Sequence, residues 1–195
     1  RFLFLSIFIF SSQIISGQKD GNIDSLLQIL NTESLSDSAY LLTKIRVAHA
    51  YIYKYDFDKA ELYIDEVLEA IKSEEYANIL PKDYTLHYLI KAWCYQGRAD
   101  DFRAAKEWMK RIHDITLKYS NREKIIGAQI NLASILVDLK DTTARSFVNN
   151  YLADVDTTLN IAEKEAWVLG QQFLSRIDES NGDYRSSIKR MIETL

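Results

Sequence analysis

From Leu41 to Ile71 the apolar positions recur at spacings of three and four, with one interruption. Leu41, Leu42, Ile45, Ala48, Ile52 and Tyr55 make one stripe, and Ala60, Ile64, Val67, Leu68 and Ile71 make a second. Stripes this wide meet neighbours on more than one side. They predict two amphipathic helices folded back on each other through a turn at Tyr55, Asp56 and Phe57. Asp58 is the expected N-cap of the second helix, with Glu61 reaching back as in a capping box.

The same patterning returns along the chain. Ile23, Leu26, Leu27 and Leu30 predict a short helix over 22–30, and the loop after it offers Ser36 or Asp37 as the next cap. Lys72 to Tyr84 is a polar link holding the only proline, Pro81, which suits the boundary between two elements. Leu86, Leu89, Ile90, Trp93 and Cys94 then mark a helix over 85–97, with Gly97 at its C-terminal end. After it, Phe102 and Ala105 repeat the spacing of Phe57 and Ala60. Ser120 to Glu123 reads as a capping box before a third helix pair. Its first helix carries Ile126, Ile130, Ala133 and Val137, and its second Ala144, Val148, Tyr151 and Leu152. A fourth unit starts near Thr158 and holds Trp167, Leu174 and Ile177. Asn181 and Gly182 form its turn, Tyr184 takes the place of Phe57, and Ser187 that of Ala60.

Val47, Ala48, Tyr51, Phe57 and Ala60 follow one another in a large, small, aromatic, aromatic, small order. In this they resemble the tetratricopeptide repeat, in which small residues let paired helices approach and aromatics fill the gaps beside them. Lys44 stands where that family often has Trp, Tyr55 where it often has Gly, and Asp178 where an aromatic is typical. The small residues after the turns, Ala60, Ala105, Ala144 and Ser187, lie 45, 39 and 43 residues apart. Tetratricopeptide units repeat every ~34 residues and HEAT or armadillo units every ~40–47. The chain therefore reads as all-α, an α-solenoid of about four antiparallel helix pairs over 37–195. Its units are either tetratricopeptide-like with extended helices or those of another α-solenoid. The aromatic–turn–small signature favours the first, and the third unit carries it most weakly.

Composition agrees with helix throughout, with one Pro and six Gly in 195 residues. A net charge of −4 without a Lys/Arg stripe argues against nucleic-acid binding. His49, His87 and His113 stand far apart, with no second ligand at metal spacing. Cys94 is the only cysteine, which excludes an internal disulfide, and its apolar neighbours make it a buried thiol. No glycine-rich phosphate loop occurs, and the pairs Glu74–Glu75 and Asp100–Asp101 suit helix ends. No catalytic residue, metal or cofactor is expected, and a helical enzyme with a dispersed site is the least favoured reading.

Tyr51, Tyr53 and Tyr55 alternate along one helix and point in different directions. Packing is expected for Tyr51 and Tyr55, and exposure for Tyr53. The family resemblance implies that first helices of successive units line a concave groove for a protein or peptide ligand. Carried over, its inward positions fall on Leu42, Ile45, His49, Ile52 and Tyr53, and then on Leu86, Leu89, Trp93 and Gln96. Chaperone-binding members hold Lys and Asn there to clamp a terminal carboxylate. Ile45 and His49 stand here instead, so the implied guest is an amphipathic helix or an extended peptide. The alternative is that these residues bury against the next repeat or the N-terminal helix.

Phe2 to Phe10 is apolar except for Ser6, preceded by Arg1 and followed by small polar residues. This resembles a secretory signal peptide over 1–17, cleaved after Gly17, before an N-terminal extension over 18–36. A buried helix and an uncleaved anchor are the alternatives, although the run is short against the roughly 20 residues of a span. No Cys follows it to accept a lipid. Arg1 is not a start methionine and Leu195 falls within a helical pattern, so the chain reads as a fragment. The layout resembles the exported N-terminal repeat region of bacterial sensor kinases and regulators, with a membrane span expected beyond Leu195. A stand-alone periplasmic assembly factor or scaffold is the alternative.

Overall fold

The structure is a computed structural model, and it describes residues 23–32, 34–72, 80, 85–98, 101–158 and 160–194. The expected signal peptide, Pro81, Glu74–Glu75 and Asp100 lie outside these residues. Among the described residues there are nine helices and no strand. They are α1 (Ile23–Thr32), α2 (Asp37–Tyr53), α3 (Phe57–Ala70), α4 (Leu86–Arg98), α5 (Phe102–Tyr119), α6 (Arg122–Asp138), α7 (Ala144–Asp154), α8 (Ile161–Ser180) and α9 (Tyr184–Glu193). The all-α expectation holds, and the expected helix pairs are present. No described helix is long and apolar enough to cross a membrane.

The helices form two compact units, Arg1–Tyr119 and Ser120–Leu195. In unit 1, α2 packs on α3 and α4 on α5, while α3 and α2 both meet α4 and α1 covers part of α2. In unit 2, α6 packs on α7 and α8, α7 on α8, and α8 on α9. The core of unit 1 is built from Ile45, Ala48, Ile52, Ala60, Ile64, Val67, Ile90 and Ala105, all fully buried. Burying each large aliphatic side chain contributes roughly 1.5–3 kcal/mol. Unit 2 buries Ile126, Ile130, Ile135, Val148, Phe173 and Leu174 in the same way.

Three turns repeat one backbone device. The amides of Asp56, Asp141 and Asp183 reach back to the carbonyls of Tyr51, Leu136 and Asp178 at 2.9–3.0 Å. This closes a Schellman loop around one left-handed residue. That residue is Tyr55 (φ 59), Lys140 (φ 52) or Gly182 (φ 79). Only Gly182 takes the conformation without a steric penalty. Tyr55, expected to pack, is instead 64% exposed, because the left-handed backbone carries its ring out of the helix stripe.

The aspartate after each left-handed residue then serves the next helix. Asp56 accepts from the Lys59 amide, Asp183 from Ser186, and Asp141 from Thr143 and its hydroxyl. The expected cap at Asp58 is therefore displaced to Asp56, and Glu61 is drawn into ion pairs instead of a capping box. The box expected at Ser120 is displaced too. Asn121 caps α6 by accepting from the Lys124 amide, and the buried Ser120 hydroxyl accepts or donates no hydrogen bond. Ser36 caps α2 as expected.

Small residues sit where the paired helices come closest. Ala48 and Ala60 are both fully buried in the first pair. In the α8–α9 pair their places are taken by Ser175 and Ser187, whose hydroxyls lie 2.8 Å apart. Ser187 also donates to Glu179 at 2.9 Å, so both hydroxyls are satisfied and the approach is kept.

Candidate functional site

Arg46, Leu42, His49 and Tyr53 lie along one face of α2, since residues four, seven and eleven apart share a face. The packing of α2 on α4 brings the predicted inward positions together. The His49 ring stacks on Trp93 at 6.0 Å and meets Tyr53 edge-on at 4.8 Å. Trp93 is buried, with 1% exposure, whereas Tyr53 keeps 37%. Ile45 and Ile52 are fully buried and Gln96 is buried. Leu42, His49, Leu86 and Leu89 are half-buried. The accessible part of the predicted set is therefore Leu42, His49, Tyr53, Leu86 and Leu89, backed by Trp93.

Behind this surface, α3 and α4 are joined by charge. Lys91, whose side chain is 8% exposed, is held by Glu61 and by Asp65 at 2.6 Å. Arg98 reaches the other oxygen of Glu61 at 2.5 Å and Asp58 at 3.1 Å. Burial opposes the charge on Glu61, but hydrogen bonds from Lys91 and Arg98 outweigh it and hold the carboxyl below its usual range. Burial likewise opposes the charge on Lys91, and its bonds to Asp65 and Glu61 hold the ammonium above its usual range. The Tyr95 ring lies against both cations, at 5.2 and 5.9 Å. Beside this joint the Phe57 ring packs directly over Gly97, where any Cβ would collide with it. Gly97, one residue before the described end of α4, thus lies at the helix's C-terminal end as expected and also gives α3 and α4 a close approach.

Cys94 is buried and burial pushes its thiol up to about 12, which removes the thiolate a nucleophile needs. His87 is buried and neutral, its pKa pushed down to about 4. Among the described residues no three His, Cys, Asp or Glu side chains converge on a metal position.

Unit 2 offers a different inner face. Counted back from the capping aspartate, the place of His49 holds Ser134 in α6 and Arg176 in α8, and the place of Tyr53 holds Asp138 in α6. Arg176 donates to Asp138 at 2.6 Å, so neighbouring first helices are bridged by an ion pair where unit 1 has a ring stack. Two buried carboxylates brace the same unit. Glu163, 1% exposed, accepts both Nε (3.0 Å) and Nη2 (3.3 Å) of Arg122 and the Asp156 amide. Arg122 also donates to the Asp154 carbonyl. Asp178 receives Arg145 at 2.5 Å and Arg190 at 2.9 Å. Arg176 and Asp138 were not singled out from sequence. The signal that finds them is the series Asp56, Asp101, Asp141 and Asp183, which marks register better than the small residues do.

No protein-family model matches the chain, and no curated protein is similar to it in sequence. The fold does have solved counterparts. A kinesin light chain-like protein of Podosopora anserina with nearly identical TPR-like repeats superposes with a TM-score of 0.71 at 17% identity, covering 98% of this chain and 92% of that one. A single-substitution variant of it gives the same TM-score and coverage at 16% identity. The fold is that of TPR-like helical repeats. At this identity the likeness concerns the fold alone.

Proposed function

We propose that the chain is a protein-interaction scaffold that captures a protein or peptide on the α2–α4 surface of unit 1. The observation that carries this reading is the cluster of His49, Tyr53 and Trp93. Tyr53 is 37% exposed and His49 half-buried, while Trp93 behind them is packed. A rigid aromatic backing with an accessible edge suits an amphipathic helix or an extended peptide. We further propose that the scaffold is exported and serves as the extracytoplasmic input segment of a larger signalling protein. That part rests on the apolar run Phe2–Phe10 with its basic and small polar flanks. A stand-alone periplasmic scaffold is the second reading of the same layout.

The test of the binding surface is capture from envelope extract with the full chain and with His49→Ala combined with Tyr53→Ala. Loss of the captured partners at unchanged helicity is expected. An identical partner set from both forms refutes the surface. For export, residues 1–36 fused to a reporter active only outside the cytoplasm should give activity, and a silent fusion refutes it.

A further inference from the structure

We propose that Asn181 is a site of self-modification, at which the side-chain amide is lost to attack by the Gly182 backbone nitrogen when the turn between α8 and α9 opens. The product loosens α9 from α8.

The three turns of left-handed type share one geometry, and the residues just before their left-handed positions are Lys54, Leu139 and Asn181. Of these only asparagine is chemically labile. Asn181 is also the one asparagine of the chain that a glycine follows. A cyclic imide closes when the amide nitrogen of the next residue reaches the asparagine Cγ. A Cβ on that next residue crowds the approach, and Gly182 has none. Nothing lies within 4 Å of the place where its Cβ would stand. Asn181 is exposed, and among the described residues no hydrogen bond holds its side chain. The glycine that relieves left-handed strain therefore opens its neighbour to cyclisation.

The closed turn holds the reaction back. Gly182 donates its N–H to the Glu179 carbonyl at 3.0 Å, and Asn181 sits at φ −94 and ψ 0. Ring closure needs Cβ and the Gly182 nitrogen nearly eclipsed about the Cα–C bond. At this ψ the nitrogen eclipses the Asn181 nitrogen instead, so the turn must open first. Opening here is local. Among the described residues α9 packs on α8 alone, and Ser187 is its one buried residue. An element so lightly held belongs to the low-stability end of a fold.

Water is the only co-reactant. The Gly182 nitrogen gives its proton to solvent and bonds to Cγ. The Cγ–Nδ2 bond breaks, and ammonia leaves with a proton from water. A water molecule then opens the imide. Cleavage between Cγ and the nitrogen gives aspartate, and cleavage at the main-chain carbonyl gives isoaspartate, which routes the chain through Cγ. Either product adds a carboxylate at the C-terminal end of α8, which already carries Asp178 and Glu179 and where the helix dipole is negative. Isoaspartate also lengthens the backbone inside the loop that the Asp183 amide closes on the Asp178 carbonyl at 2.9 Å. That loop sets where α9 begins.

The test ages the full chain at mildly alkaline pH, folded and in denaturant, and follows the tryptic peptide Ile177–Arg185 by mass spectrometry. Asn181 should convert to two acidic isomers, faster at higher pH and severalfold slower in the folded chain. Gly182→Ala should slow conversion severalfold in denaturant, where its effect on the turn is absent. Hydrogen exchange across α9 should be faster in the aged chain than in the fresh one, and unchanged by ageing in Asn181→Ser. An intact Asn181 when other asparagines have converted overturns the proposal. So does an equal rate in folded and unfolded chain, which removes the gating by the turn, or α9 exchange that ageing leaves unaltered.

Discussion

In unit 1 the carbonyl that closes the turn after α2 belongs to Tyr51, whose ring stacks on Tyr63 of α3 at 5.9 Å. In unit 2 the same two places hold Asp178 and Arg190, an ion pair at 2.9 Å. The inner faces differ in the same sense, with the His49–Trp93 stack in one and Asp138–Arg176 in the other. One backbone repeat therefore accepts either aromatic or charged material at a given place. The physical costs differ. A ring pair gains from burial alone, whereas a buried carboxylate must be matched by its cations or it opposes folding.

The largest expected effect comes from stripping the cations of Asp178. Arg145→Met with Arg190→Met leaves a carboxylate of 3% side-chain exposure uncompensated, and denaturant unfolding should register a loss of about 3–5 kcal/mol. Adding Asp178→Leu should restore most of it. If the triple variant is no more stable than the double one, unit 2 does not depend on charge matching as described.

Acid separates the units next. All three histidines belong to unit 1. Burial holds His87 neutral, with its pKa lowered from 6.5 to about 4. Between those values the unfolded chain binds the extra proton and the folded one does not, so stability falls as pH drops, by roughly 3 kcal/mol over the window. Hydrogen exchange should show unit 1 loosening there before unit 2, and His87→Phe should flatten the slope. A slope that survives the substitution assigns it elsewhere. Glu61 acts in the same sense, because its depressed pKa gives it a contribution that is lost as pH falls below the ordinary carboxylate range.

Gly97→Ala drives a methyl into the Phe57 ring, with an expected cost of about 1–3 kcal/mol. Phe57→Leu should relieve part of this in the double variant, which a thermal melt of the four forms would measure. Strict additivity would contradict direct contact.

The smallest effect contrasts the turns. Tyr55→Gly should stabilise by up to about 1 kcal/mol by removing left-handed strain, and Gly182→Ala should destabilise by a similar amount. A Tyr55→Gly variant that melts lower than the parent would mean that the Tyr55–Phe57 ring contact, 6.3 Å between centres, outweighs the strain.

Periodicity revealed the helix pairs, because an apolar stripe at spacings of three and four is a local property of the chain. Ala48, Ala60 and Ser187 were legible as approach points for the same reason, since small size is written in the residue. The caps were misplaced by one or two residues at Asp58 and Ser120. Several polar residues cluster at each helix start, and only the left-handed turn decides which side chain faces the free amides. Within the inner surface, sequence assigned both His49 and Trp93 to inward positions but could not tell that Trp93 would lie packed and His49 half-buried.

What the sequence determined by itself is an all-α chain of paired helices, their turns, and the residues that must be small or apolar. Tertiary structure alone decided which of those residues remain at the surface. It also decided that Glu163 and Asp178 are buried beneath arginines and Glu61 half-buried against Lys91 and Arg98, all from other helices, and that Gly97 admits the Phe57 ring and Gly170 the side chains of Tyr151 and Leu152. The reason is physical. Helix stripes follow from backbone geometry over a few residues, whereas burial and charge pairing depend on which helix arrives alongside.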